Sequence, residues 1–374
     1  MKYRNHETEV VLFFAVFLMG ILVFAVGAEN ARASYHFANY RGQPPIHIYG
    51  GTSKTPKGMT PAQIKKIYNL PASGGSGTIA IVGAYDDATI EADLAGFDKQ
   101  FNLVSCTTKN GCFEKHKMSS AISANSGWAL ETTLDVEWSH AIAPNAKILL
   151  VEATTPSGAN LLKAIDYATG RADAVAISMS WGGAEFPEET TLDSHFVSKS
   201  GAVFFASSGD NGWGASWPAS SPNVIGVGGT TVVMSSNGTF QKETAWSGSG
   251  GGVSKYEKQP GFQADYSITK SNGMRAIPDV AYDADPASGF PIYRLGIWRT
   301  VGGTSAGAPQ WAGIAALNHS VSNSKIYQDK AADNFASYFR DIVSGANGDC
   351  KYYCQARKHY DYITGLGSPQ TSSF

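Results

Sequence analysis

The sequence contains little charge. Only 16% of its 374 residues are charged, against about 25% in an average globular protein. The 29 Lys and Arg residues nearly balance the 31 Asp and Glu residues, and no run of basic residues occurs. A chain without a basic excess has little attraction for a phosphate backbone, so general nucleic-acid binding is not expected. The hydrophobic content of 43% is ordinary and indicates a folded core rather than disorder.

Several sequence signatures are also missing. There is no internal repeat, no heptad pattern and no low-complexity tract. None of the eight histidines lies in an HExxH zinc motif or in a His-Gly-Thr-His setting, and no paired Asp-Thr-Gly motifs occur. These absences argue against metallopeptidase and aspartic peptidase chemistry, and they leave no recognisable histidine base. His140, which ends a predicted helix, is a weak candidate for that role.

The N-terminal segment predicts export. Val10–Ala28 is an unbroken run of apolar or small residues, preceded by basic residues. Ala31–Ala33 has the A-x-A form of a signal-peptidase site, so residues 1–33 are interpreted as a signal peptide. The run is also long enough to span a bilayer, and a retained membrane anchor at residues 10–28 is the alternative. Both interpretations place the rest of the chain outside the cytoplasm, either secreted or anchored.

The four cysteines agree with export. Cys106 and Cys112 flank one short loop, and Cys350 and Cys354 flank another. Two local disulfides are the simplest of the three possible pairings. A zinc site would need two closely spaced cysteine pairs or histidines nearby, and only the second pair has a suitable spacing.

The pattern along the chain predicts an α/β fold. Residues 34–56 are polar and turn-rich and are expected to form an extended lead-in, with one domain over residues 57–374. A helix is expected to begin after Thr60, which has the character of an N-cap. Continuous apolar strands that alternate with helices indicate a mostly parallel sheet covered on both faces. The expected strands are 78–84, 147–153, 174–179, 202–206 and 224–227, and the expected helices include 90–101, 128–141, 161–168 and 310–318.

Ser305 is the candidate nucleophile. It lies in a Gly-rich turn between a strand-like stretch, 296–301, and a helix-like stretch. A serine at a helix N-terminus lies where the helix dipole favours developing negative charge, as acyl transfer requires. The alternative is a plain N-cap serine in a Gly-rich turn.

Three carboxyl groups are candidates to assist that serine. Glu131 and Asp135 are four residues apart, so they share one face of the predicted helix. In a sheltered cleft such a pair can share a proton, and Glu131 could accept the proton of Ser305 while Asp135 holds Glu131 in place. The alternative is a solvated helix face with mild repulsion. Asp210 follows a buried strand, and its alternative is an ordinary Asp-Asn-Gly turn.

Together these residues resemble the sedolisins, the serine-carboxyl peptidases. The resemblance runs in order from about residue 57 to residue 369. It rests on Glu131-x-x-x-Asp135 and on the segments 178–182, 208–210, 248–254, 278–280, 303–309 and 364–369.

The resemblance implies a subtilisin-like α/β fold and hydrolysis of peptide bonds in proteins or peptides. Ser305 would be the nucleophile, Glu131 the general base and then acid, Asp135 the residue that orients Glu131, and Asp210 the oxyanion-hole residue. A histidine base is protonated well below pH ~6.5, whereas a glutamate with a pKa near ~4.3 still accepts a proton there. Asp210 can donate to an oxyanion only when protonated, so we expect an acidic optimum.

The resemblance also implies one structural calcium ion. Its carboxylate ligands would be Asp341 and Asp361, with backbone carbonyls from Ile342, Arg357 and His359. Hard oxygen ligands suit calcium. The family usually has glycine at the positions of Arg357 and His359. Glycine permits backbone angles that other residues resist, so this sequence departs from the family pattern at both positions. The alternative is two aspartates in solvated turns.

Other functions remain open at this point. A tripeptidyl exopeptidase of the same family is the nearest rival to an endopeptidase, and a non-catalytic surface or binding homologue is the other alternative. The family usually carries a long N-terminal propeptide, whereas residues 34–56 are too few to form one. We expect a monomer.

Overall fold

The computed structural model describes residues 37–328 and 335–374. The leader, residues 1–33, lies outside those ranges, so the signal-peptide and anchor interpretations stay predictions. Within the described ranges, no helix is long and apolar enough to cross a membrane.

The helices and strands alternate along much of the chain. The helices are α1 Pro61–Ile67, α2 Ile90–Phe101, α3 Ser126–Ile142, α4 Gly158–Thr169, α5 Gly261–Asp265, α6 Gly307–Asn318, α7 Asn323–Gln328 and α8 Phe335–Tyr338. The strands are β1 His47–Ser53, β2 Thr78–Ala84, β3 Phe113–Lys117, β4 Lys147–Ala153, β5 Ala174–Met179, β6 Gly183–Ala184, β7 Val203–Ser207, β8 Ser216–Trp217, β9 Val224–Met234, β10 Phe240–Ala245, β11 Gly252–Lys258, β12 Met274–Ile277, β13 Val280–Asp283, β14 Phe290–Arg294, β15 Ile297–Gly302, β16 Phe339–Arg340 and β17 Ser368–Pro369.

The central sheet is mostly parallel, as predicted. Its strand order is β10-β9-β7-β5-β2-β4-β3, with β13 also paired to β9, which makes eight strands in the described residues. Only β10 runs antiparallel to its neighbour, β9. The apolar runs predicted at 78–84, 147–153 and 174–179 coincide with β2, β4 and β5. The fold is therefore the expected subtilisin-like α/β fold.

Helices cover both faces of this sheet. Side chains alternate along β2, so Ile79 and Ile81 pack in one apolar cluster, with α3 and α6, while Ala80 and Val82 pack in a second cluster, with α4. A strand buried on both faces is mostly apolar, which is why β2 carries only apolar or small residues from Ile79 to Ala84.

One strand is longer than expected. The apolar run at 224–227 predicts a short strand, but β9 continues to Met234 and pairs there with β10. The extension begins with Gly228 and Gly229, where a Cβ atom would lie 2.5 Å from the Ile363 carbonyl oxygen and 2.8 Å from the Ala284 Cβ. Close tertiary packing fixes these small residues as strand, and an apolar pattern does not reveal it.

Both local disulfides are present. Cys106 is bonded to Cys112, and Cys350 is bonded to Cys354. His140 lies near the first disulfide, but sulfur atoms joined to each other are not thiolate ligands, so this group is not a zinc site.

Candidate active site

Helix α3 carries the paired carboxyl groups into the protein interior. The Asn125 side chain caps the helix by accepting hydrogen bonds from the backbone N–H groups of Gly127 and Trp128. Glu131 and Asp135 are each only 2% exposed, because α3 packs against α6 and against the turn that holds the candidate serine. The interpretation of this pair as a solvated helix face is therefore wrong.

The Glu131 carboxyl group is buried with no positively charged group beside it among the described residues. Neither carboxyl oxygen accepts a hydrogen bond from any described residue. Burial raises its pKa well above the usual value, and the nearby carboxyls of Asp135 and Asp210 act in the same direction. The neighbouring Ser305 hydroxyl lowers the pKa in part. A buried carboxyl with a raised pKa beside a hydroxyl is a candidate for proton exchange with it.

Asp135 has one close partner. The Ser180 hydroxyl donates to its Oδ1 over 2.6 Å. Burial raises the pKa of Asp135 well above its usual range, and the bond from Ser180 offsets part of that rise.

Ser305 lies in a short 3-10 turn, Thr304–Ala306, between β15 and α6. Its side chain makes no capping bond, so the N-cap alternative is wrong. The hydroxyl instead donates to the Pro45 carbonyl oxygen over 2.7 Å. A backbone carbonyl of the lead-in thus contacts the candidate nucleophile.

Asp210 faces the same turn from the end of β7. Its Oδ1 accepts hydrogen bonds from the Thr304 N–H and the Thr304 hydroxyl, both over 2.8 Å. Its Oδ2 lies 3.0 Å from His47 Nε2. Burial raises the pKa of Asp210, while the contacts with His47 and Thr304 lower it in part. The interpretation of Asp210 as an ordinary turn residue is therefore incomplete, because its side chain is hydrogen-bonded to Thr304, next to Ser305.

Gly303 explains how two oxygen atoms fit beside that loop. Its φ is +128°, and a Cβ there would lie 2.1 Å from the Pro45 carbonyl oxygen and 2.5 Å from Asp210 Oδ2. Both oxygens therefore approach the same side of this residue, and only glycine leaves room for them.

Residues 41–47, named here the cleft segment, lie across the site like a bound peptide. Gln43 exchanges backbone hydrogen bonds of 3.0 and 3.1 Å with Gly182, and Arg41 forms an antiparallel bridge with Ser157. The chain then passes Ser305 and joins β15 at His47 as strand β1. Beside it a cavity of about 470 Å³ opens between glycine-rich walls.

The sequence placed four of these site residues together and missed the cleft segment. It identified Ser305, Glu131, Asp135 and Asp210, and the structure brings all four to one region. It assigned residues 34–56 only a lead-in role, although Pro45 and His47 contact the site. No local pattern signals this, because the contact between Pro45 and Ser305 joins residues 260 positions apart. His140 contacts Val104 and Asp98 instead of the serine turn.

The five residues expected around calcium lie in two nearby loops. The Asp361 carboxylate accepts hydrogen bonds from the N–H groups of Arg357, Ile363 and Thr364. The Asp341 carboxylate accepts the N–H of His359. Burial raises the pKa of Asp361 to about 7.

The backbone differs between the two positions where glycine was expected. His359 has a φ of +66°, the left-handed conformation that glycine adopts without strain, while Arg357 is not in that region. The expected angle therefore occurs at one of the two positions.

A comparison with protein families matches residues 116–331 to the subtilase family. Among curated proteins, sedolisin from Pseudomonas sp. (strain 101) is 28% identical over 84% of this chain and 60% of its own length. Kumamolisin from Bacillus sp. (strain MN-32) is 29% identical over 85% of this chain and 63% of its own length. The chain thus spans about three fifths of the length of these relatives.

A solved structure gives the same result for the fold. Pseudomonas sedolisin, a serine-carboxyl proteinase complexed with two molecules of pseudo-iodotyrostatin, superposes with a TM-score of 0.73. The identity is 28%, and the match covers 84% of this chain and 96% of that chain. The resemblance to the sedolisins is confirmed.

The buried carboxyls predict that stability falls as pH rises. Burial raises the pKa of Asp98 and of Glu152 to about 7 and that of Glu257 to about 8, and it also raises those of Glu131 and Asp135. Between pH 4.5 and 8 the native state then binds more protons than the unfolded chain, and stability is lost as pH rises through the folded pKa values. We expect the Tm to drop by about 5 to 10 °C over that range.

A double variant tests how much the two site carboxyls contribute to this fall of the Tm with rising pH. Glu131→Gln with Asp135→Asn removes two such groups, so its Tm should fall less steeply with pH. Asp265→Asn, at an exposed position, serves as the matched control and should keep the original slope. A double variant whose slope equals that of the control would contradict the expectation.

Proposed function

This chain belongs to the subtilase family, and from that premise we propose that it is a serine-carboxyl endopeptidase that hydrolyses peptide bonds at acidic pH. The observation that supports this most is the convergence of Asp135, Ser305 and Asp210 around the buried Glu131, with the Ser305 hydroxyl against the peptide carbonyl of Pro45. An inert binding homologue would not need all four groups at one buried place.

The reaction follows from the groups present. Glu131 takes the proton of the Ser305 hydroxyl as its oxygen attacks the substrate carbonyl carbon. Asp210, when protonated, donates to the developing oxyanion. As the C–N bond breaks, Glu131 returns the proton to the leaving amine, and an acyl ester remains on Ser305. Water then attacks this ester, with Glu131 again as base, and releases the new carboxylate.

Acidic conditions suit this arrangement. Asp210 donates only in its protonated form, and burial raises its pKa, so it keeps its proton up to a higher pH than an exposed aspartate. Once Asp210 ionises, a negative charge would face the oxyanion, and the rate should fall toward neutral pH.

The length of the cleft favours an endopeptidase over a tripeptidyl exopeptidase. If the Pro45 carbonyl marks the scissile position, the chain continues on the acyl side through Gln43 to Arg41, with backbone pairing at both residues. Tyr40 beyond them is buried, and its hydroxyl donates to the Trp217 carbonyl. An exopeptidase that removes tripeptides needs a closed end after the third residue, and here the cleft accepts a longer chain.

The proposal extends to the compartment. Two disulfides are typical of proteins in oxidising environments, which supports export by way of the predicted leader.

An N-acetylated decapeptide tests the activity and its mode together. We expect internal cleavage at pH 4 to 5, because a blocked N-terminus excludes a tripeptidyl exopeptidase but not an endopeptidase. Ser305→Ala should lower kcat by more than about a thousandfold through loss of the nucleophile. Mass spectrometry of the products is the measurement.

The control for that experiment is Ser120→Ala, at an exposed position, which should cleave like the original protein. Full activity of Ser305→Ala would rule out the proposed function. An intact acetylated peptide, together with release of tripeptides from the same decapeptide bearing a free N-terminus, would instead support the exopeptidase alternative.

The cleft segment must leave before substrate enters, since both cannot contact Ser305 at once. His47 helps to hold it through Asp210, and a partly exposed pair of this kind contributes about 0.2–1 kcal/mol. His47→Ala should therefore raise the initial rate on a short peptide by up to about fivefold.

Tyr49→Ala is the matched control, because Tyr49 lies on the same strand and is 54% exposed. Its initial rate should equal that of the original protein. If His47→Ala gave the same initial rate as Tyr49→Ala, His47 would have no part in holding the segment.

We also propose that the two C-terminal loops bind one calcium ion. In the described residues, the backbone carbonyls of Ile342, Arg357 and His359 accept no hydrogen bond from the protein, so these three oxygens are free for a cation. With the carboxylates of Asp341 and Asp361 they form an oxygen-only donor set, as calcium prefers. The ion would hold the loops together and takes no part in the peptide-bond chemistry.

Chelation tests this site. Because a bound ion stabilises the native state by about 4 kcal/mol at a thousand times its Kd, EGTA should lower the Tm by several degrees and added calcium should restore it. Asp341→Asn should lose most of this response, while Asp349→Asn, at an exposed position in the intervening loop, should keep it. A Tm insensitive to EGTA would exclude a stabilising ion here.

A further inference from the structure

Ser180 lies at the end of β5, where the strand points toward the site. It is 1% exposed and follows Met179, the last residue of the strand. Its hydroxyl group donates to Asp135 Oδ1 over 2.6 Å and lies 3.2 Å from the Ser305 carbonyl oxygen. One side chain thus contacts both helix α3 and the turn of the nucleophile.

This contact is the single hydrogen bond that Asp135 receives from a side chain in the described residues. The other charged group close to Asp135 is Glu131, and Glu131 in turn faces Asp135 and Asp210. No cation contributes at either carboxyl among the described residues. The orientation of Asp135 therefore depends on a neutral hydroxyl.

The donor and the acceptor of this hydrogen bond are fixed by its chemistry. A hydroxyl carries one proton, and Ser180 donates it to Oδ1, which makes Oδ1 an acceptor. A proton shared by the two carboxyls is then left to Asp135 Oδ2 or to Glu131. Stabilising the ionised form of Asp135 also makes the pair release its proton more readily, which leaves Glu131 free to accept the proton of Ser305.

We propose that Ser180 is a positioning residue of this site, which holds the Asp135 carboxyl and through it keeps Glu131 oriented and ready to act as the base for Ser305. The inference rests on the proposed peptidase function. The Ser180 hydroxyl contacts Asp135 and the Ser305 carbonyl oxygen, and its proposed effect on the base runs through Asp135.

Strand β5, which leads into Ser180, offers a matched control. Ser178 is 0% exposed, two residues before Ser180, and its hydroxyl has no hydrogen-bond partner in the described protein. Ser178→Ala removes the same atom from a similar buried environment without removing a bond to the site.

The test compares Ser180→Ala, Ser180→Thr and Ser178→Ala by kcat and KM from pH 3 to 7. A hydrogen bond to a charged group predicts that Ser180→Ala lowers kcat by about tenfold or more while KM stays within about twofold. The acidic limb of its kcat profile should move to higher pH, because the carboxyl pair holds its proton more tightly. Ser180→Thr keeps the hydroxyl and should recover most of the rate, and Ser178→Ala should match the original protein.

Several results would overturn the proposal. The first is that Ser180→Ala leaves the kcat and its pH profile unchanged. The second is that Ser180→Ala lowers the kcat without moving the acidic limb of the profile, as a purely structural role would. If the alanine variant fails to fold, Ser180→Cys, which keeps the volume but donates weakly, carries the same comparison. Ser305→Ala, measured in parallel, separates the two hypotheses: its full activity refutes the peptidase function, whereas its inactivity beside a normal Ser180→Ala refutes this inference alone.

Discussion

The candidate site depends on carboxyl groups that are buried without a permanent cation. Elsewhere in the same protein a buried carboxylate is paired directly, as Asp279 is with Arg275 at 2.6 Å. Glu131 and Asp135 have no such partner in the described residues, and the positive group near Asp210 is His47, which belongs to the cleft segment. Burial without compensation raises proton affinity, and this makes carboxyls usable as proton donors and acceptors at a serine.

The α/β fold supplies these groups from separated stretches of chain. Ser180 follows β5 and Asp210 follows β7, so both lie beyond the carboxyl ends of neighbouring parallel strands, where such sheets bind ligands. Helix α3 adds Glu131 and Asp135, and the β15–α6 turn adds Ser305. Because the strands pair in register, the loops after them meet at one edge of the sheet. Rigid elements therefore position every proposed catalytic group.

The cleft segment crosses the site in a defined N-to-C direction. Its pairing with Gly182 and its contact with Ser305 place the segment across the cleft in one polarity, with Arg41 and His47 on opposite sides of Ser305. The same contacts exclude any other peptide while the segment is bound. Under the proposed function, a substrate would use the same backbone groups as this segment, and the His47–Asp210 contact ties the segment to the residue proposed for the oxyanion hole.

Local patterns in the sequence determined the strands and the candidate residues. Continuous apolar runs predicted β2, β4 and β5, and residue types at short spacings identified Ser305, Asp210 and the Glu131–Asp135 pair. The tertiary structure alone decided that β9 continues through Gly228, that Ser180 holds Asp135, and that Pro45 and His47 reach the site. These contacts join residues far apart along the chain and are fixed by packing, so they impose no periodicity or spacing that a sequence pattern could record.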